Sequence, residues 1–431
     1  MNILLINHYA GGPQYGMEFR PLYLAREWVK LGHRVMIVAA DQSHVRNRNP
    51  NIQTEAYKEI DGLRKSKFKS EEVDGVQFVW CKTPPYLGNG IGRVLNILVF
   101  LIRLFQMSFW LKKSFKPDHI ITSSTYPMDI FPARFIQKVC HPAQLVFEVH
   151  DLWPLSPIEL GGMSRLHPFI LWVQWAEDLS YRWANHVVSM LPLTKEYMIS
   201  RGMQAAKFYH IPNAIDFEEW DETINADSNL EFESQIREIK KNHDLSIAYF
   251  GTHGLANALK YFIDAAEMAL KQNLSIAFIL VGNGPEKQSL IDRAMQKNIS
   301  NIFFMNPIRK TEIPSALKLI DILYIGLQNQ SLFRFGISPN KLIDYMAAAK
   351  PILFAIESGN NPVLESNCGY AVKAEDTQAI IEGLKKFMKL SEKERQVMGQ
   401  NGFAFVKLNH DYKILANKFL NHVFYRNSVQ E

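Results

Sequence analysis

A short buried strand that runs into a glycine-containing loop and then a helix begins the sequence, and the same pattern begins again near its middle. The first copy is NILLINHYA, followed by a loop with Gly11, Gly12 and Gly16 and a helix closed by Gly32. The second is LSIAYFGTHG, residues 245–254, followed by the helical pattern LKYFIDAAEMAL. Continuous apolar strands alternating with helices are typical of parallel sheets covered on both faces. The repeat predicts two doubly wound α/β domains, with ligands at the carboxyl ends of their strands.

The positions of the two patterns divide the chain into domains. At 431 residues it is too long for one hydrophobic core, and two or three domains are expected. A polar stretch rich in Glu, Asp and Lys separates the two patterns, and we place a hinge near 213–244. We predict Rossmann-like domains at residues 1–213 and 214–404 that face each other across a cleft. Residues 405–431 are predicted to form a helix that packs back on the first domain.

The composition excludes several classes of protein. Apolar residues make up 47% and charged residues 21% of the chain, as expected of a folded enzyme and not of a disordered chain. The net charge of +5 is mild, so we expect no nucleic-acid partner. Cys81, Cys140 and Cys368 lie far apart without metal-ligand spacing, which predicts a cytoplasmic protein without a metal site. The chain starts directly on a strand, so no signal peptide is expected.

One segment has the composition of a membrane-contacting helix. LNILVFLIRLFQMSFWL, residues 95–111, is apolar for most of its length, with Arg103 and Gln106 near its centre and basic residues on both sides. Such a helix can lie in the membrane interface with its cationic ends on anionic head groups. We expect peripheral membrane contact through residues 92–113. A buried core helix and a membrane span are the alternatives that the sequence leaves open.

Residues 41–75 interrupt the alternation of strands and helices. They are polar and include six basic residues: Arg46, Arg48, Arg64, Lys65, Lys67 and Lys69. We predict a mobile basic loop, with an ordinary solvated insertion as the alternative.

The stretch RFGISPNKLIDYMAAAKPI, residues 334–352, places a rigid polar turn directly before a helix. The start of a helix exposes unpaired N–H groups and a partial positive charge, which together can bind a phosphate. Lys341 can neutralise a phosphate, and Asp344 can accept hydrogen bonds from a vicinal diol such as ribose. Ser338 and Asn340 are candidates for the helix N-cap, and a capped helix without a ligand is the alternative.

Two further groups of residues follow predicted strands. FEVHDLWPLSPIELGG puts His150 and Asp151 at a strand end, where a histidine can bind a sugar hydroxyl or phosphate or move a proton. A local structural hydrogen bond is the alternative for this pair. VGNGPEK supplies Gly282 and Gly284 after another strand, and Gly251 follows a third. None of these loops completes the dinucleotide fingerprint G-x-G-x-x-G, which argues against an NAD-dependent oxidoreductase.

Taken together, these motifs resemble a known family. The chain is similar from end to end to GT-B glycosyltransferases of the family 4 type, close to the branch that builds bacterial O-antigen, lipopolysaccharide, capsule and exopolysaccharide repeats. The motifs that carry the resemblance are INHYAGGPQYGMEFR, WCKTPPYLGNGIGRVLN, HDLWPLSPIELGG, IPNAID, YFGTHGLANALKYFIDAA, VGNGPEK, FGISPNKLIDYMAAAKPI and GNNPVLESNCG.

The resemblance implies a function for each domain. The second domain would hold a nucleotide-diphosphate sugar, commonly UDP-linked. The first would hold an acceptor, often a polyprenyl-diphosphate-linked saccharide at the inner face of the bacterial cytoplasmic membrane. The implied activity is hexosyl or N-acetylhexosaminyl transfer to a lipid-linked or polysaccharide acceptor, with retention of anomeric configuration. No metal or other cofactor is implied, since helix ends and basic side chains stabilise the leaving diphosphate.

The resemblance also implies roles for individual residues. His150, with Asp151 beside it, matches a catalytic position near the donor sugar. Asp344 matches the second acidic position of the family's E-x7-E motif, which holds the ribose. The other implied donor-binding residues belong to glycine loops and to the turn before Asp344: Gly11, Gly12, Gly16, Gly251, Thr252, His253, Gly282, Gly284, Ser338, Asn340 and Lys341.

The sequence departs from the family at two places in the implied donor site. The first acidic position of E-x7-E falls on Gly336, so the turn Ser338 to Lys341 would have to act in its place. The family's Arg-and-Lys phosphate clamp has no match in GTHGLANALK, so His253, Lys260 or Lys341 would supply the charge. Two other functions stay open: a nucleotide-sugar epimerase on the same fold, and a non-catalytic sugar-nucleotide-binding subunit, for which Gly336 is the main argument.

Overall fold

The computed structural model describes residues 1–16, 19–88, 90–226 and 229–425. Parts of two resemblance motifs, at residues 17–18 and 89, and the end of the predicted returning helix, 426–431, lie outside the described residues. The chain forms two compact units. Unit 1 comprises Met1–Pro212 and the segment from Tyr412 onwards, and unit 2 comprises Asn213–Asp411.

Unit 1 is built on one sheet with helices between its strands. Its strands are β1 (Asn2–Ile6), β2 (Arg34–Ala40), β3 (Phe68–Val73), β4 (Val76–Cys81), β5 (His119–Thr122), β6 (Gln144–Val149), β7 (His186–Ser189) and β8 (Phe208–His210). Its helices are α1 (Arg20–Lys30), α2 (Ile91–Trp110), α3 (Ile130–Val139), α4 (Leu155–Glu159), α5 (Pro168–Trp183) and α6 (Lys195–Ser200). Over the described residues the strand order is β3-β4-β2-β1-β5-β6-β7-β8, parallel except for the antiparallel pair β3 and β4.

Unit 2 repeats this plan with a smaller sheet. Its strands are β9 (Leu245–Phe250), β10 (Ile276–Val281), β11 (Ile302–Met305), β12 (Ile322–Gly326), β13 (Ile352–Ala355) and β14 (Gly369–Ala371). Its helices are α7 (Phe217–Ala226), α8 (Leu230–Lys241), α9 (Leu259–Lys271), α10 (Lys287–Gln296), α11 (Ile313–Lys318), α12 (Asn340–Ala347), α13 (Pro362–Glu365), α14 (Thr377–Met388) and α15 (Glu392–Asn409). The strand order among the described residues is β11-β10-β9-β12-β13-β14, all parallel.

The last helix belongs to unit 1, as the sequence predicts. Helix α16 (Tyr412–Phe419) continues into a π-helical turn and packs on α1. The fully buried Trp28 ring meets the rings of Phe419 and Phe424 at centroid distances of 5.2 and 5.6 Å, and its indole N–H donates to the carbonyl of Ala416. The return to unit 1 begins at Tyr412, later than the predicted 405, because α15 runs unbroken to Asn409 within unit 2.

Two stretches predicted as loop or hinge contain regular structure. Within residues 41–75, β3 pairs antiparallel with β4, and its first residue, Phe68, is buried while the following residues are half-buried or exposed. Arg46, predicted as part of a solvated basic loop, is buried and donates to the carbonyls of His8 and Ala10. The polar stretch 213–244 is largely helical, since α8 buries Phe232 and Ile236 in the core of unit 2.

Each sheet has one point where the strand order reverses. In unit 1, β1 lies between β2 and β5, and in unit 2, β9 lies between β10 and β12. Loops that follow such strands diverge to opposite faces of the sheet and leave room for a ligand at the carboxyl edge. In both units the glycine-containing loop therefore lies where an α/β sheet binds ligands. The predicted α/β fold with two domains is confirmed.

Candidate functional site

The loops after β9 and β10 meet at the carboxyl edge of the unit 2 sheet and require glycine. Gly251 and Gly282 have φ of +139° and +144°, which side chains rarely allow. A Cβ on Gly282 would lie 2.0 Å from the carbonyl oxygen of Gly251, and a Cβ on Gly284 would lie 2.4 Å from that of His253. Lys287 fastens the second loop by donating to the carbonyls of Gly282 and Met305. The predicted glycine loops therefore pack directly against each other.

Lys341 reaches the loop after β9 from the start of α12. Its ammonium group donates to the Tyr249 hydroxyl at 2.6 Å and to the Asn257 amide oxygen at 3.4 Å, and lies 4.2 Å from the centre of the Tyr249 ring. The Lys341 Cε would lie 2.8 Å from a Cβ on Gly251, so that glycine makes room for it. Among the described residues Lys341 forms no ion pair. Burial lowers its pKa to about 8, a shift that Asp344 partly offsets.

Two side chains that sequence reasoning missed hold Lys341 and the loop together. The Tyr249 hydroxyl donates to the carbonyl of Thr252 at 2.8 Å, and the Asn257 amide group donates to the same carbonyl at 3.0 Å. Thr252 therefore enters the site through its backbone, since its side chain is exposed. A tyrosine within a buried, mostly apolar strand was the available signal, because a buried hydroxyl requires a polar partner.

His253 lies under the loop and cannot supply the missing cation. It is fully buried, and neither ring nitrogen has a hydrogen-bond partner among the described residues. Burial, followed by the nearby charges of Lys287 and Lys341, lowers its pKa to about 4, so the ring is neutral near pH 7. Lys260, the other alternative to Lys341, is exposed and lines a cavity of about 290 Å³ that Lys341 does not line. Lys287 and Lys341 both bring positive charge to this edge.

The turn before α12 differs from the predicted capped helix. The N-cap is Pro339, with no side-chain cap bond, and Asn340 is the first helical residue. Ser338 instead accepts hydrogen bonds from the Asn213 backbone N–H and side-chain amide, through its hydroxyl and carbonyl oxygens. The prediction that Ser338 or Asn340 caps α12 is wrong. Ser338 forms hydrogen bonds with Asn213 instead, and Asn340 already lies inside the helix. The first N–H groups of α12 are consequently not occupied by a capping side chain.

Asp344 lies one turn into α12, below Lys341. Burial raises the pKa of its carboxyl group to about 7, against the lowering effect of Lys310 and Lys341. No side chain among the described residues donates a hydrogen bond to this carboxylate. The Asp344 side chain is half-exposed, so hydroxyl groups of a ligand could reach its carboxyl group and donate hydrogen bonds to it.

The backbone explains why Gly336 replaces the family's acid. Gly336 ends a 3₁₀ turn, Ser331–Phe335, and has φ 92° and ψ 175°. This region of backbone space is accessible essentially to glycine alone. Its N–H donates to the carbonyl of Phe333, which fixes the turn. A glutamate at this position would strain the loop that delivers Ser338 and Lys341.

His150 and Asp151 lie in unit 1, at the end of β6. The His150 ring nitrogen Nε2 lies 2.8 Å from the Ser123 hydroxyl and 3.2 Å from the Glu148 carboxylate. Glu148 also pairs with the buried Arg20 at 2.9 Å. Burial alone would raise the pKa of Glu148, but Arg20, His150 and Ser123 together hold it well below its usual range. His150 is thus oriented by a fixed carboxylate, whereas the Asp151 side chain is exposed.

The first glycine loop lies at the end of β1, also in unit 1. The carbonyl of Gly12 accepts from the N–H groups of Tyr15 and Gly16, which makes a tight turn. Tyr15 is tied by its hydroxyl to Glu71 at 2.6 Å. Gly11, Gly12 and Gly16 therefore belong to one closed turn, and their predicted role towards a donor stays a prediction.

Two family models match the chain in succession. Residues 15–214 match the model described as a glycosyl transferase 4-like domain, and residues 231–405 match the one described as glycosyl transferases group 1. The first stretch lies almost entirely in unit 1 and the second in unit 2. No curated protein matches the chain.

Solved structures of similar fold span the whole chain at low identity. HepE from Anabaena, in complex with UDP and glucose, has a TM-score of 0.63 at 14% identity and covers 97% of this chain and 98% of its own. Sucrose-phosphate synthase from Thermosynechococcus elongatus has a TM-score of 0.66 at 13% identity, covering 99% and 98%. An Escherichia coli trehalose-6-phosphate structure bound with UDP-2-fluoro glucose has a TM-score of 0.66 at 10% identity, covering 97% and 98%.

The two matches follow the order of the two α/β units, and the related structures share this two-domain fold along nearly their full length. The predicted resemblance is confirmed at the level of fold and enzyme class. The chain belongs to the glycosyltransferases of the GT-B fold.

Proposed function

We propose that the protein transfers a sugar from a nucleoside-diphosphate sugar, UDP-linked, to a lipid-linked or polysaccharide acceptor in bacterial cell-surface polysaccharide synthesis. The transferred group is a hexosyl or N-acetylhexosaminyl residue, and the anomeric configuration is retained without a bound metal. The protein works in the cytoplasm, peripheral to the inner face of the membrane. The acceptor is a polyprenyl-diphosphate-linked saccharide.

The observation that carries the proposal is the position of Lys341. A half-buried ammonium group lies against the tight glycine loop after β9, at the ligand-binding edge of the unit 2 sheet, and its hydrogen bonds go to uncharged oxygens. A lysine in such a position retains its charge most favourably when an anion binds it. A diphosphate fits this place, because the first N–H groups of α12 lie on the same turn and add to the positive potential.

The position of Asp344 supports the proposal that this diphosphate is part of a nucleotide. Its carboxyl group is one helical turn from Lys341 and has no donor among the described residues. Two ribose hydroxyls would provide the missing hydrogen bonds, while Lys341 holds the phosphates. Related structures whose titles state complexes with UDP or UDP-glucose support a uridine nucleotide.

The chemistry follows from where charge develops. As the bond between the sugar and the diphosphate breaks, negative charge grows on the leaving phosphate oxygen. Lys341 and the N-terminus of α12 are already oriented towards it and stabilise this charge without rearrangement. His150, held by Glu148 and Ser123, orients the acceptor and takes up the proton that the acceptor hydroxyl group loses as its oxygen bonds to the sugar.

Helix α2 supports a membrane-bound acceptor. Among the described residues, the helical segment Ile91–Phe115 is the one long and apolar enough to cross a membrane, and 44% of its most apolar window is buried in unit 1. Its exposed side carries apolar residues at helical spacing: Ile91, Leu95, Leu98, Ile102, Phe105 and Phe109. Exposed Lys112 and Lys113 follow. An amphipathic helix of this kind lies along a bilayer.

The test is sugar transfer from radiolabelled UDP-sugars to lipid-linked acceptors, compared between the wild type and Lys341→Met. We expect transfer for at least one donor, and a loss of at least roughly a hundredfold in the variant because the leaving-group charge is no longer neutralised. The control is Lys386→Met, since Lys386 also lies over a tyrosine ring, 5.5 Å from that of Tyr370, but in α14. Isomerised sugar without an acceptor would identify an epimerase, and binding without turnover a non-catalytic subunit.

A further inference from the structure

A group of aromatic and basic side chains collects at the carboxyl edge of the unit 1 sheet, apart from the residues discussed so far. Tyr9 follows β1, His44 follows β2, Tyr86 follows β4 and Trp153 follows β6. Arg93, in the first turn of α2, lies among them. Tyr9 is buried, Arg93, Tyr86 and Trp153 are half-buried, and His44 is exposed, so the group forms one wall open to solvent. We call these five residues the Arg93 wall.

The guanidinium group of Arg93 is held in a fixed orientation. Its Nε and Nη2 atoms donate to the Tyr9 hydroxyl at 3.2 and 3.0 Å. Its central carbon lies 5.7 Å from the centre of the Tyr9 ring and 5.6 Å from that of Trp153. These two hydrogen bonds and the neighbouring Tyr9 and Trp153 rings confine the planar group, so that less freedom is lost when it binds a ligand. A preoriented guanidinium group is suited to the paired oxygens of a phosphate or diphosphate.

The electrostatic surroundings of the wall are positive. The pKa of His44 is lowered mainly by burial and then by the charge of Arg93. The pKa of the buried His8 is lowered by burial and by the charges of Arg46 and Arg93. His44 itself is fixed by Tyr86, whose hydroxyl lies 2.7 Å from its Nδ1. These shifts show that the charge of Arg93 extends across the wall, where an anion would meet it.

The wall begins where the apolar side of α2 begins. The side chains of Leu87 and Ile91 are 97% and 88% exposed, among the most exposed large apolar groups in the described chain. Both precede Arg93 in sequence, and Arg93 points to the opposite side of the helix from Ile91 by helical spacing. If α2 lies along a bilayer, a lipid head group leaving the membrane here crosses about one helix diameter, roughly 10 Å, to reach Arg93.

We propose that the Arg93 wall binds the diphosphate of the acceptor, carried on a hydrocarbon chain whose lipid end stays at the exposed apolar side of α2. This inference rests on the proposed function and assigns the acceptor subsite in unit 1. Arg93 binds the phosphate oxygens, His44 and Tyr86 add neutral hydrogen-bond donors, and Trp153 offers an aromatic face to the first sugar of the acceptor. The shared chemistry is a phosphate or diphosphate ester, free or on a lipid.

The test is binding of farnesyl diphosphate to the full chain by calorimetry, with UDP present at saturation so that Lys341 is occupied. We expect Arg93→Gln to weaken this binding by at least roughly tenfold, the scale of losing one charge-assisted contact. The matched control is Arg103→Gln, ten residues further along α2, where the guanidinium group donates to Gln106 and to the carbonyl of Lys82. The control should bind as the wild type does.

Three outcomes would overturn the inference. Equal affinity of the wild type and Arg93→Gln would remove Arg93 from the site. Inorganic diphosphate binding as tightly as farnesyl diphosphate would identify a free-phosphate site. If the protein bound phosphatidylglycerol vesicles equally well with and without polyprenyl diphosphate, the Arg93 wall would be a general contact for anionic lipids.

A readout in the reaction separates this inference from the proposed function. In transfer assays Arg93→Gln should raise the KM for the lipid-linked acceptor more than it lowers kcat, because the lost contact is already made in the ground state. UDP affinity, measured separately, should not change. Absence of UDP binding in the wild type would contradict the proposed function, whereas normal UDP binding with an unchanged acceptor KM would contradict this inference alone.

Discussion

Individual residues of the unit 2 site were predictable from sequence to different degrees. Lys341 and Asp344 stood out because a charged residue at a helix start, followed three positions later by an acid, has a recognisable ligand chemistry. Tyr249 and Asn257 did not, because their role depends on β9 and α12 meeting in space, 92 and 84 residues apart in the chain. Ser338 was assigned to the wrong partner for the same reason, since Asn213 lies 125 residues away.

Gly336 gives a stability prediction at the residue scale. Gly336→Ala should lower the free energy of unfolding by about 1–3 kcal/mol, because φ 92° and ψ 175° are essentially restricted to glycine. Gly336→Glu, which supplies the family's missing acid, should be destabilised as well and should not gain transfer activity. Chemical denaturation measures the change.

The control for this prediction is Gly254→Ala. Gly254 has an extended backbone with φ −118°, and a Cβ there meets its nearest atoms at 3.8 Å. Its unfolding free energy should stay within about 0.5 kcal/mol of the wild type. If Gly336→Glu were as stable as the wild type and more active, the strained turn would not explain the loss of the acid.

At the scale of elements, the buried strands were predicted well and the partly exposed ones were not. β1, β9 and β10 are buried at nearly every position, so their apolar runs are distinct in the sequence. β3 was missed because its residues FKSEEV are mostly polar, and its pairing with β4 depends on the buried Phe68. α2 was ambiguous between core and membrane interface because both descriptions apply: one side packs in unit 1 and the other is exposed.

α2 gives a prediction about membrane binding. Replacing two exposed apolar residues, Ile102→Glu with Phe109→Glu, should weaken binding to phosphatidylglycerol vesicles by more than roughly tenfold, since burying each side chain in lipid contributes about 1.5–3 kcal/mol. Vesicle co-sedimentation measures it. High salt should also weaken binding of the wild type, because it would screen the attraction between the exposed Lys112 and Lys113 and anionic head groups.

The matched control for α2 is Leu408→Glu on α15, an exposed leucine in unit 2. It should bind vesicles as the wild type does and should leave UDP affinity unchanged. Equal vesicle binding by the double variant of α2 would show that this helix face does not meet the bilayer.

At the scale of the whole molecule, the two repeated beginnings were enough to predict two α/β domains, but not where the chain returns to unit 1. The return is set by the packing of α16 against α1, and no local signal in the sequence separates it from the end of α15. The GT-B class was predictable because its motifs follow strands at fixed places in the sequence. The proposed acceptor subsite was not, because its side chains follow four different strands and meet only in the folded chain.

The returning helix gives a prediction about the stability of unit 1. Phe419→Ala should lower the unfolding free energy by about 3–5 kcal/mol, because Phe419 is fully buried against Trp28. UDP affinity, measured below the melting temperature, should remain that of the wild type, because the proposed nucleotide site lies in unit 2. Calorimetric unfolding with and without UDP would test both parts, and a large loss of UDP affinity in the folded variant would contradict the assignment.

The central claim is that Lys341 receives the diphosphate of the donor, and UDP titration at two pH values tests it most directly. The free-protein pKa of Lys341 is lowered to about 8, so the ammonium form predominates at pH 7 and the neutral amine at pH 9. UDP binds the charged form, and wild-type affinity should therefore fall by about tenfold between pH 7 and pH 9. Lys341→Met should bind at least roughly tenfold more weakly at pH 7 and should lack the tenfold fall in affinity between pH 7 and pH 9, while the titration of Asp344 stays present in both proteins. Equal UDP affinity in the wild type and Lys341→Met at both pH values would contradict the claim.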